Sequence, residues 1–431
     1  MAEKKNGNIV GIITMIFLFG MIAFVTNLAA PIGNIWKMQP QIAGSNTLGM
    51  MGNAMNFLAY LFMGIPAGNM LKKFGYKKTA LIAIAVGLLG VFVQFLSGVV
   101  GAWPANFITY LLGAFISGFS VCMLNTVVNP MLNLLGGGGK KGNQYIQYGG
   151  TFNSLMATLT PMLVGMMIGT LTPKTAITDV NPVLFLAMGV FALAFLILLF
   201  IPISDPEQNE EGEAVSPMKF KHFIWGIIAI FVYVGVEVGI PGTLNFYLAD
   251  SSAKGAGLLP EVAVRTAGFV AGTYWLLMLV GRLVSSFISG KVSSKTQLTC
   301  VASVAIILVL CAMFISPSVQ TKFPAFTGNG FAMVTVPLSA LLLVLCGLCT
   351  SVMWGAIFNL AVEGLGKYTA AASGIFMTLV CGGGIIPFLQ NLLADHVGSM
   401  QSYWLIIACL AFLVYYAFIG SKNVNKDIPV E

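Results

Sequence analysis

A single acid lies in the middle of one long apolar segment. Glu237 stands near the centre of residues 223–248, a run longer than the roughly 20 residues that cross a bilayer. An acid at that depth costs about 2.5 to 3.5 kcal/mol on insertion scales, so it is rarely kept unless it faces a cavity or a partner. There a carboxylate can hold a cation, a proton or a hydroxyl group. Glu237 is therefore a candidate for ligand binding and for coupling to an ion.

Uncharged amides share this depth. Within hydrocarbon an Asn or Gln needs a hydrogen-bonding partner, either another helix or a ligand. An amide both donates and accepts, which suits a ligand that carries several hydroxyls. The amides within apolar runs are Asn27, Asn34, Asn53, Asn56, Asn125, Asn129, Asn153, Asn245, Asn359, Gln390 and Asn391. From this set the candidates for ligand binding are Asn27, Asn56, Asn125, Asn129, Asn153, Asn245 and Asn359.

Aromatic rings occur in the same segments as the amides. Packing and interfacial anchoring are their usual roles. A ring beside a cavity would also offer a flat apolar face to the C–H side of a sugar ring. The candidates for this contact are Tyr274, Trp275, Trp354 and Phe358.

The distribution of charge narrows the class of ligand. No Lys or Arg is expected at mid-span, and Arg282 is expected at a helix end, where it would tie down a loop. An anionic ligand is therefore disfavoured, whereas a cation could pair with Glu237. Two functions stay open on the residues alone: a carrier of a neutral sugar, and an exporter of amphipathic cations that uses Glu237 as counter-charge.

The composition excludes a soluble enzyme. Of 431 residues, 58% are hydrophobic and only 8% are charged, and the mean hydropathy is +0.91, whereas charged residues approach a quarter of a soluble domain. The glycine-rich segment 136–142 lacks the spacing of a phosphate loop. Two histidines, and a Cys346/Cys349 pair deep in a span, give no metal centre and no catalytic group. The lysines are spread over loops, which argues against nucleic acid and leaves the lipid bilayer as the expected surrounding.

Long apolar runs predict an all-α membrane protein with twelve transmembrane helices. The predicted spans are 9–36, 48–70, 79–99, 105–133, 145–170, 182–202, 223–248, 262–289, 297–315, 333–362, 369–394 and 400–420. Of the 21 Lys and Arg residues, sixteen fall on one side of this topology and five on the other. This positive-inside bias predicts that both termini and the central linker are cytoplasmic.

The chain divides into two similar halves. A polar linker at 204–222 separates a first six-helix bundle, 1–203, from a second, 223–431. PAGNMLKKFGYKK at 66–78 has a counterpart at the matching place in the second half, GRLVSSFISGKVSSK at 281–295. Pseudo-symmetric bundles with a site at the midplane are typical of secondary transporters. The loop positions expected to take part in gating are Gly68, Gly75, Lys77, Gly281 and Arg282.

A set of short motifs extends over nearly all the spans. In spans ten and eleven they are Ser351 with Met353, residues 357–360 and 364–366, Ser373 with Gly374, Gly382 with Gly383, Pro387 and Asp395. Elsewhere they are PAG at 66–68, FGYK at 74–77, Asn129 with Pro130, FNS at 152–154, YVGVE at 233–237, Tyr274 with Trp275, and Gly281 with Arg282. Together these motifs resemble the fucose and glucose/galactose permease branch of the major facilitator superfamily.

The resemblance implies the major facilitator fold and an alternating-access carrier for a neutral hexose or deoxyhexose, such as glucose, galactose or fucose. We expect a monomer in a bacterial inner (plasma) membrane. The departures from the family concern coupling. Its proton symporters carry an Asp in span one and a Glu in span four, but this chain has TNLAAP at 26–31, Asn125 in the Glu position, and Gly150 where a Gln is frequent. We therefore expect Na+ coupling or uniport in preference to proton symport, and no other cofactor.

Overall fold

Helices make up most of the chain in the computed structural model, which describes residues 2–135, 139–201, 216–288, 292–365, 368–425 and 428. The first half contains α1 (Ala2–Thr26), α2 (Ala29–Lys37), α3 (Asn46–Leu96), α4 (Ala105–Leu135), α5 (Gly139–Ile168) and α6 (Asn181–Phe200). The second half contains α7 (Lys221–Ala249), α8 (Pro260–Ile288), α9 (Ser294–Phe314), β1 (Gln320–Phe326), β2 (Phe331–Pro337), α10 (Leu338–Val362), α11 (Thr369–Thr378), α12 (Gly382–Val397) and α13 (Tyr403–Tyr415).

These helices make twelve crossings in the described part of the chain. α1 and α2 form the first, and α11 and α12 form the eleventh, joined by the 3-10 turn Leu379–Cys381. The long helix α3 makes two crossings because Gly75 inside it has a φ of 79° and a ψ of 177°, a conformation that side chains with a Cβ avoid. Eleven segments are long and apolar enough to span a membrane when α3 is counted once. The prediction of twelve transmembrane helices is confirmed.

A β-hairpin precedes the tenth crossing, where the sequence predicted helix from residue 333. β1 and β2 pair antiparallel, with Gln320 opposite Pro337 and Phe326 opposite Phe331. The turn between them uses Gly328 and Gly330, both with positive φ, as tight hairpin turns require. The helix α10 therefore begins only at Leu338. Residues 333–337 are mostly apolar and lead directly into α10. Hydropathy alone therefore does not distinguish this strand from the beginning of the helix.

The helices pack mainly within each half. In the first half α3 packs on α4 and α6, and α1 packs on α4 and α5; in the second half α7, α8 and α9 all pack on α10. Between the halves α5 packs on α8, α3 on α12, and α2 on α7. The predicted linker falls largely on 202–215, outside the described residues, and α7 begins at Lys221, so the boundary between the halves stays a prediction.

Candidate functional site

A cavity of about 610 Å³ lies between the two halves. Its walls come from α1, α3, α4 and α5 on one side and from α7 to α11 on the other. It reaches Ser294 and Gln297 at the beginning of α9 and Ile146 in the early part of α5. We call this end of the molecule, where α1 also begins, the α1 face, and the opposite end, where α2 finishes, the α2 face. The volume lies in the range of small-molecule sites, about 300 to 1,000 Å³.

Five of the predicted amides line this cavity. They come from three helices and from the turn between α1 and α2, namely Asn27 in the turn, Asn125 and Asn129 on α4, Asn153 on α5 and Asn359 on α10. The two on α4 are four residues apart, so they lie on one face of the helix. The structure therefore brings together side chains that are distant in sequence.

Four of these amides already use their nitrogen within the protein. The Nδ2 of Asn125 donates to the hydroxyl of Tyr60 at 2.7 Å, and that of Asn153 donates to the carbonyl of Phe19 at 2.7 Å. The Nδ2 of Asn27 and of Asn129 each donate to the carbonyl four residues earlier, at 2.9 and 3.3 Å. The amide oxygens are thereby left as acceptors beside the cavity, which suits a ligand that donates hydrogen bonds.

Glu237 forms an ion pair with Arg282 in the cavity wall. Oε1 of Glu237 lies 3.9 Å from Nη2 of Arg282, and the side chains are 13% and 27% exposed respectively. The other terminal nitrogen of Arg282 donates to Oγ of Ser154 at 2.9 Å and to the carbonyl of Gly150 at 3.5 Å. The hydroxyl of Tyr233 also lies beside Glu237. The two charges therefore compensate each other within the site.

The position of Arg282 corrects two predictions. We expected this residue to tie down a loop, and we expected no basic group near the midplane, but it lines the cavity. The physical reason is the direction of helical side chains, which lean toward the helix N-terminus. In α8 that direction points away from the α1 face and into the membrane. Because Arg282 lines the cavity, a lack of basic groups does not disfavour an anionic ligand. Such a ligand is disfavoured instead because Arg282 is already paired with Glu237.

Two of the predicted aromatic residues line the cavity and two do not. Trp275 and Trp354 are in its wall. Tyr274 is fully buried, with its hydroxyl 2.9 Å from Oγ1 of Thr350. Phe358 packs against the ring of Phe376, with 5.2 Å between the centroids. Adjacent helical residues point about 100° apart, so Trp275 meets the cavity while its neighbour Tyr274 packs between helices.

Two predicted amides do not line the large cavity itself. Asn56 is buried between α3 and α4, where its Nδ2 donates to the carbonyl of Ala114 at 3.4 Å. Asn245 accepts a hydrogen bond from Nδ2 of Asn34 at 2.7 Å and lines a small cavity of about 40 Å³ that adjoins the larger one, since Asn27 and Trp275 line both. Each amide therefore forms a hydrogen bond to a neighbouring helix, which is the commoner role for a polar residue inside a membrane.

Three of the predicted gating positions, Gly75, Lys77 and Gly281, have structural roles in the described chain. Gly75 breaks α3, and Nζ of Lys77 donates to the carbonyls of Leu199 and Ile201 at the end of α6, at 3.2 and 2.6 Å. Gly281 packs on α10, because a Cβ added to it would lie 2.2 Å from Oγ of Ser351. A Cβ at Gly68 would meet no atom within 4 Å. Residues 289–291 of the second loop lie outside the described residues.

Several cavity residues were not predicted from the sequence. Tyr60, Gln297 and Ser351 all line the site. A tyrosine within an apolar run has the same need for a partner as an amide, so Tyr60 had a readable signal. Gln297 stood at the expected start of span nine, but α9 begins earlier, at Ser294, which places it inside the helix and beside the cavity.

The α2 face is closed by contacts between the halves. Besides the bond from Asn34 to Asn245, Nδ2 of Asn53 on α3 donates to the carbonyl of Gly383 on α12 at 2.9 Å. That carbonyl has no partner within its own helix, because the residue four positions later is Pro387, which lacks an N–H. The amide from the first half thus satisfies a group that a proline left free in the second.

A carboxylate reinforces the same closure. Asp395 near the end of α12 accepts hydrogen bonds at the N-terminus of α3, from Oγ of Ser45 at 2.7 Å and from the backbone N–H of Asn46 at 2.7 Å. The backbone N–H and Oγ1 of Thr47 donate to it at 2.9 and 2.6 Å. A carboxylate at a helix N-terminus is favoured by the unpaired N–H groups and the helix dipole. The cavity is therefore sealed at the α2 face while it extends to the α1 face.

Similarity to known proteins identifies the superfamily of this chain and its relatives. The chain matches the Major Facilitator Superfamily over residues 10–388. It is 28% identical over 438 residues to a glucose/galactose transporter of Brucella abortus biovar 1 (strain 9-941), covering 98% of this chain and 96% of the relative. It is 24% identical over 415 residues to the L-fucose-proton symporter of Escherichia coli (strain K12), covering 88% of this chain and 86% of the relative.

A solved structure agrees with this assignment. A crystal structure of the E. coli fucose:proton symporter superposes with a TM-score of 0.65 at 18% sequence identity, covering 97% of this chain and all of the other. At that identity the likeness shows the fold alone. The resemblance predicted from the motifs is confirmed, and the relatives are transporters, not enzymes. The protein is a multi-pass membrane transporter, and its chain belongs to the major facilitator superfamily.

Proposed function

We propose that this protein carries a neutral monosaccharide across the membrane by alternating access. The observation that carries the proposal is the set of amides at Asn27, Asn125, Asn129 and Asn153, which line one cavity and use their nitrogens within the protein, so that their oxygens can accept hydrogen bonds from a ligand. A hexose offers several hydroxyl donors to such a set. The names of the relatives, a glucose/galactose transporter and a fucose symporter, support the same class of substrate.

The remaining lining supports a neutral ligand. The rings of Trp275 and Trp354 offer apolar faces for the C–H side of a sugar. Glu237 and Arg282 are the charged residues of the lining in the described part of the chain, and they pair with each other. A cationic ligand would have to displace Arg282 from Glu237, and an anionic ligand would have to displace Glu237 from Arg282. This pairing favours a sugar over a cation exporter, which remains the alternative to exclude by experiment.

The conformation fits a state open to the cytoplasm. The α1 face, to which the cavity extends, carries the larger share of lysines in the predicted topology, so the positive-inside rule assigns it to the cytoplasm together with both termini. We propose a monomeric carrier, because the two halves of one chain supply both walls of the cavity. Coupling is proposed to use Na+ or no ion, since Asn125 cannot bind a proton as a carboxylate would.

The proposal is tested by counterflow in proteoliposomes. Vesicles preloaded with D-glucose, D-galactose or L-fucose are diluted into the labelled sugar, and we expect transient accumulation of at least one of them. Counterflow requires binding and alternation but no driving ion, so it does not depend on the coupling mode. Release of a cationic dye without counterflow of any of these sugars would favour the exporter instead.

Asn153→Ala provides a matched test of the site. Removing this amide takes an acceptor from the cavity wall, and we expect the half-saturation concentration for the sugar to rise by about tenfold, the effect of roughly 1.4 kcal/mol. The measurement is the concentration dependence of counterflow. Gln401→Ala removes an amide that is exposed in the α12–α13 connection and serves as control. Equal affinity in both variants would remove Asn153 from the site.

A further inference from the structure

We infer that Arg282 is a built-in counter-ion for Glu237, so that the carrier moves its sugar without a co-transported cation. This inference rests on the proposed function and concerns only its coupling. An acid exposed to a cavity at membrane depth is costly unless it is neutralised. In an ion-coupled carrier a proton or metal cation supplies that neutralisation when it binds. In this protein a guanidinium attached to the chain lies 3.9 Å from the carboxylate.

Glu237 and Arg282 lie in the same half, so their charges can compensate each other in every conformation of the carrier. Glu237 is on α7 and Arg282 on α8, and these helices pack on each other in the second half. When the halves rock, residues of one half keep their neighbours. The bonds from Arg282 to Ser154 and Gly150 reach α5 in the first half, so these are the contacts that change. The ion pair can persist in both the inward-open and the outward-open state.

A coupling ion has to bind one state better than another. An ion shifts a conformational equilibrium only by its differential affinity for the two states. The guanidinium of Arg282 is part of the chain, so it is present in every conformational state. It cannot move down a concentration gradient across the membrane as a free cation does. It therefore removes the need for a cation at Glu237 without supplying a driving force, and the expected mode is uniport.

Among the residues that the structure describes, no second acid lies beside Glu237 to take over the coupling role. The ionisable groups that face it are Tyr233 on α7 and Tyr274 and Arg282 on α8. Elsewhere in the described lining, Asn27 in the turn after α1 and Asn125 on α4 are neutral. The charge of the site thus sums to zero through one pair, and that pair is the element to test.

The experiment measures uptake of labelled D-glucose, D-galactose or L-fucose into proteoliposomes with imposed inward proton or Na+ gradients. In the wild type we expect equilibration at a rate that neither gradient changes. In Arg282→Gln the carboxylate loses its partner and has to recruit a cation, so we expect an inward proton or Na+ gradient to stimulate uptake by at least about fivefold. Arg265→Gln is the matched control, since Arg265 is the other arginine of the chain, also on α8, and it bonds the carbonyls of Glu261 and Thr327 outside the cavity.

A second pair of variants protects the test against loss of folding. Glu237→Gln alone leaves the guanidinium without its counter-charge, whereas Glu237→Gln combined with Arg282→Gln removes both charges. We expect the double variant to show more sugar counterflow than the Glu237→Gln variant, and to be insensitive to both gradients. Equal counterflow in the two would show that the charges do not compensate each other.

Three further results separate the inference from the proposed function. Accumulation of sugar in wild-type vesicles above the external concentration under a proton or Na+ gradient would overturn the inference and leave the sugar carrier standing. Gradient-independent uptake by Arg282→Gln at the wild-type rate would also overturn it. Absence of sugar counterflow in the wild type would instead refute the proposed function.

Discussion

At the scale of single residues, the cavity is lined by neutral amides, among them Asn125 at the position where the resemblance to proton symporters implies a Glu. Asn125 donates its amide nitrogen to the hydroxyl of Tyr60 and presents an oxygen that needs no proton. A carboxylate there would bind a proton whenever the cavity closed around it, because a charged acid at membrane depth is costly. The identity of this one side chain is therefore expected to decide whether protons take part in transport.

Asn125→Glu tests this expectation by adding an acid to the first half. No Lys or Arg other than Arg282 lines the cavity in the described chain, so the new carboxylate would lack a free partner and would have to be protonated for the carrier to turn over. We expect an inward proton gradient to stimulate sugar uptake by about fivefold or more. Asn125→Gln, with the same length and no acid, is expected to stay insensitive. Insensitivity of both variants would contradict this account.

At the scale of elements, the N-terminus of α3 and the end of α12 form the closure of the α2 face. The Asp395 carboxylate receives four hydrogen bonds from Ser45, Asn46 and Thr47. These residues belong to different halves, so the bonds have to break when the α2 face opens. We therefore expect these bonds to act as a latch, in the sense that they stabilise the state open at the α1 face and oppose opening of the α2 face.

Asp395→Asn is expected to weaken this latch. Hydrogen bonds to a charged group contribute about 1.5 to 3 kcal/mol, so losing the charge should raise the population open at the α2 face by about tenfold or more. The measurement is the rate at which an impermeant thiol reagent, added from that side, labels a cysteine introduced at Val238 in the cavity. Asp179→Asn is the control, because Asp179 caps a turn within the first half through the N–H of Ala176. Equal labelling rates would exclude the latch.

At the scale of elements, the sequence predicts how many helices cross the membrane but not which side of each helix faces the cavity. Apolar runs fixed the number of crossings, because hydrocarbon thickness imposes the length of each helix. The rotation of each helix was not readable, since these helices are apolar on nearly all sides and carry no amphipathic pattern. All four of Asn125, Trp275, Asn56 and Tyr274 were candidates for ligand binding. The structure places the first two in the cavity wall and the last two between helices, and their roles in binding stay predictions. Arg282 was misplaced because a residue near a helix end was assumed to point outward.

At the scale of the whole molecule, small residues let the halves touch at the α2 face. The crossing of α5 and α8 brings Gly268 against the carbonyl of Pro161, where an added Cβ would lie 2.3 Å from the oxygen. Gly272 faces the carbonyl of Thr158 in the same way, at 2.6 Å. Close backbone approach of this kind requires glycine in membrane helices. The closed state therefore depends on small side-chain volume at a few positions of this crossing.

Gly268→Val is expected to block this closure. Its side chain would force α5 and α8 apart, so the carrier would stay open at the α2 face and could bind sugar without transporting it. We expect loss of counterflow with sugar binding to the purified protein retained, measured by calorimetry. Gly189→Ala is the control, because a Cβ at Gly189 meets no atom within 4 Å. Normal counterflow in Gly268→Val would show that the crossing does not limit the transport cycle.

The central claim is that the cavity between the halves binds a neutral sugar through its amides. The most direct measurement is calorimetric titration of purified protein with D-glucose, D-galactose, L-fucose and, separately, tetraphenylphosphonium. The account predicts saturable binding of at least one sugar, weakened about tenfold by Asn153→Ala, and no binding of the cation. Saturable binding of the cation, with no heat from any of the sugars, would contradict it.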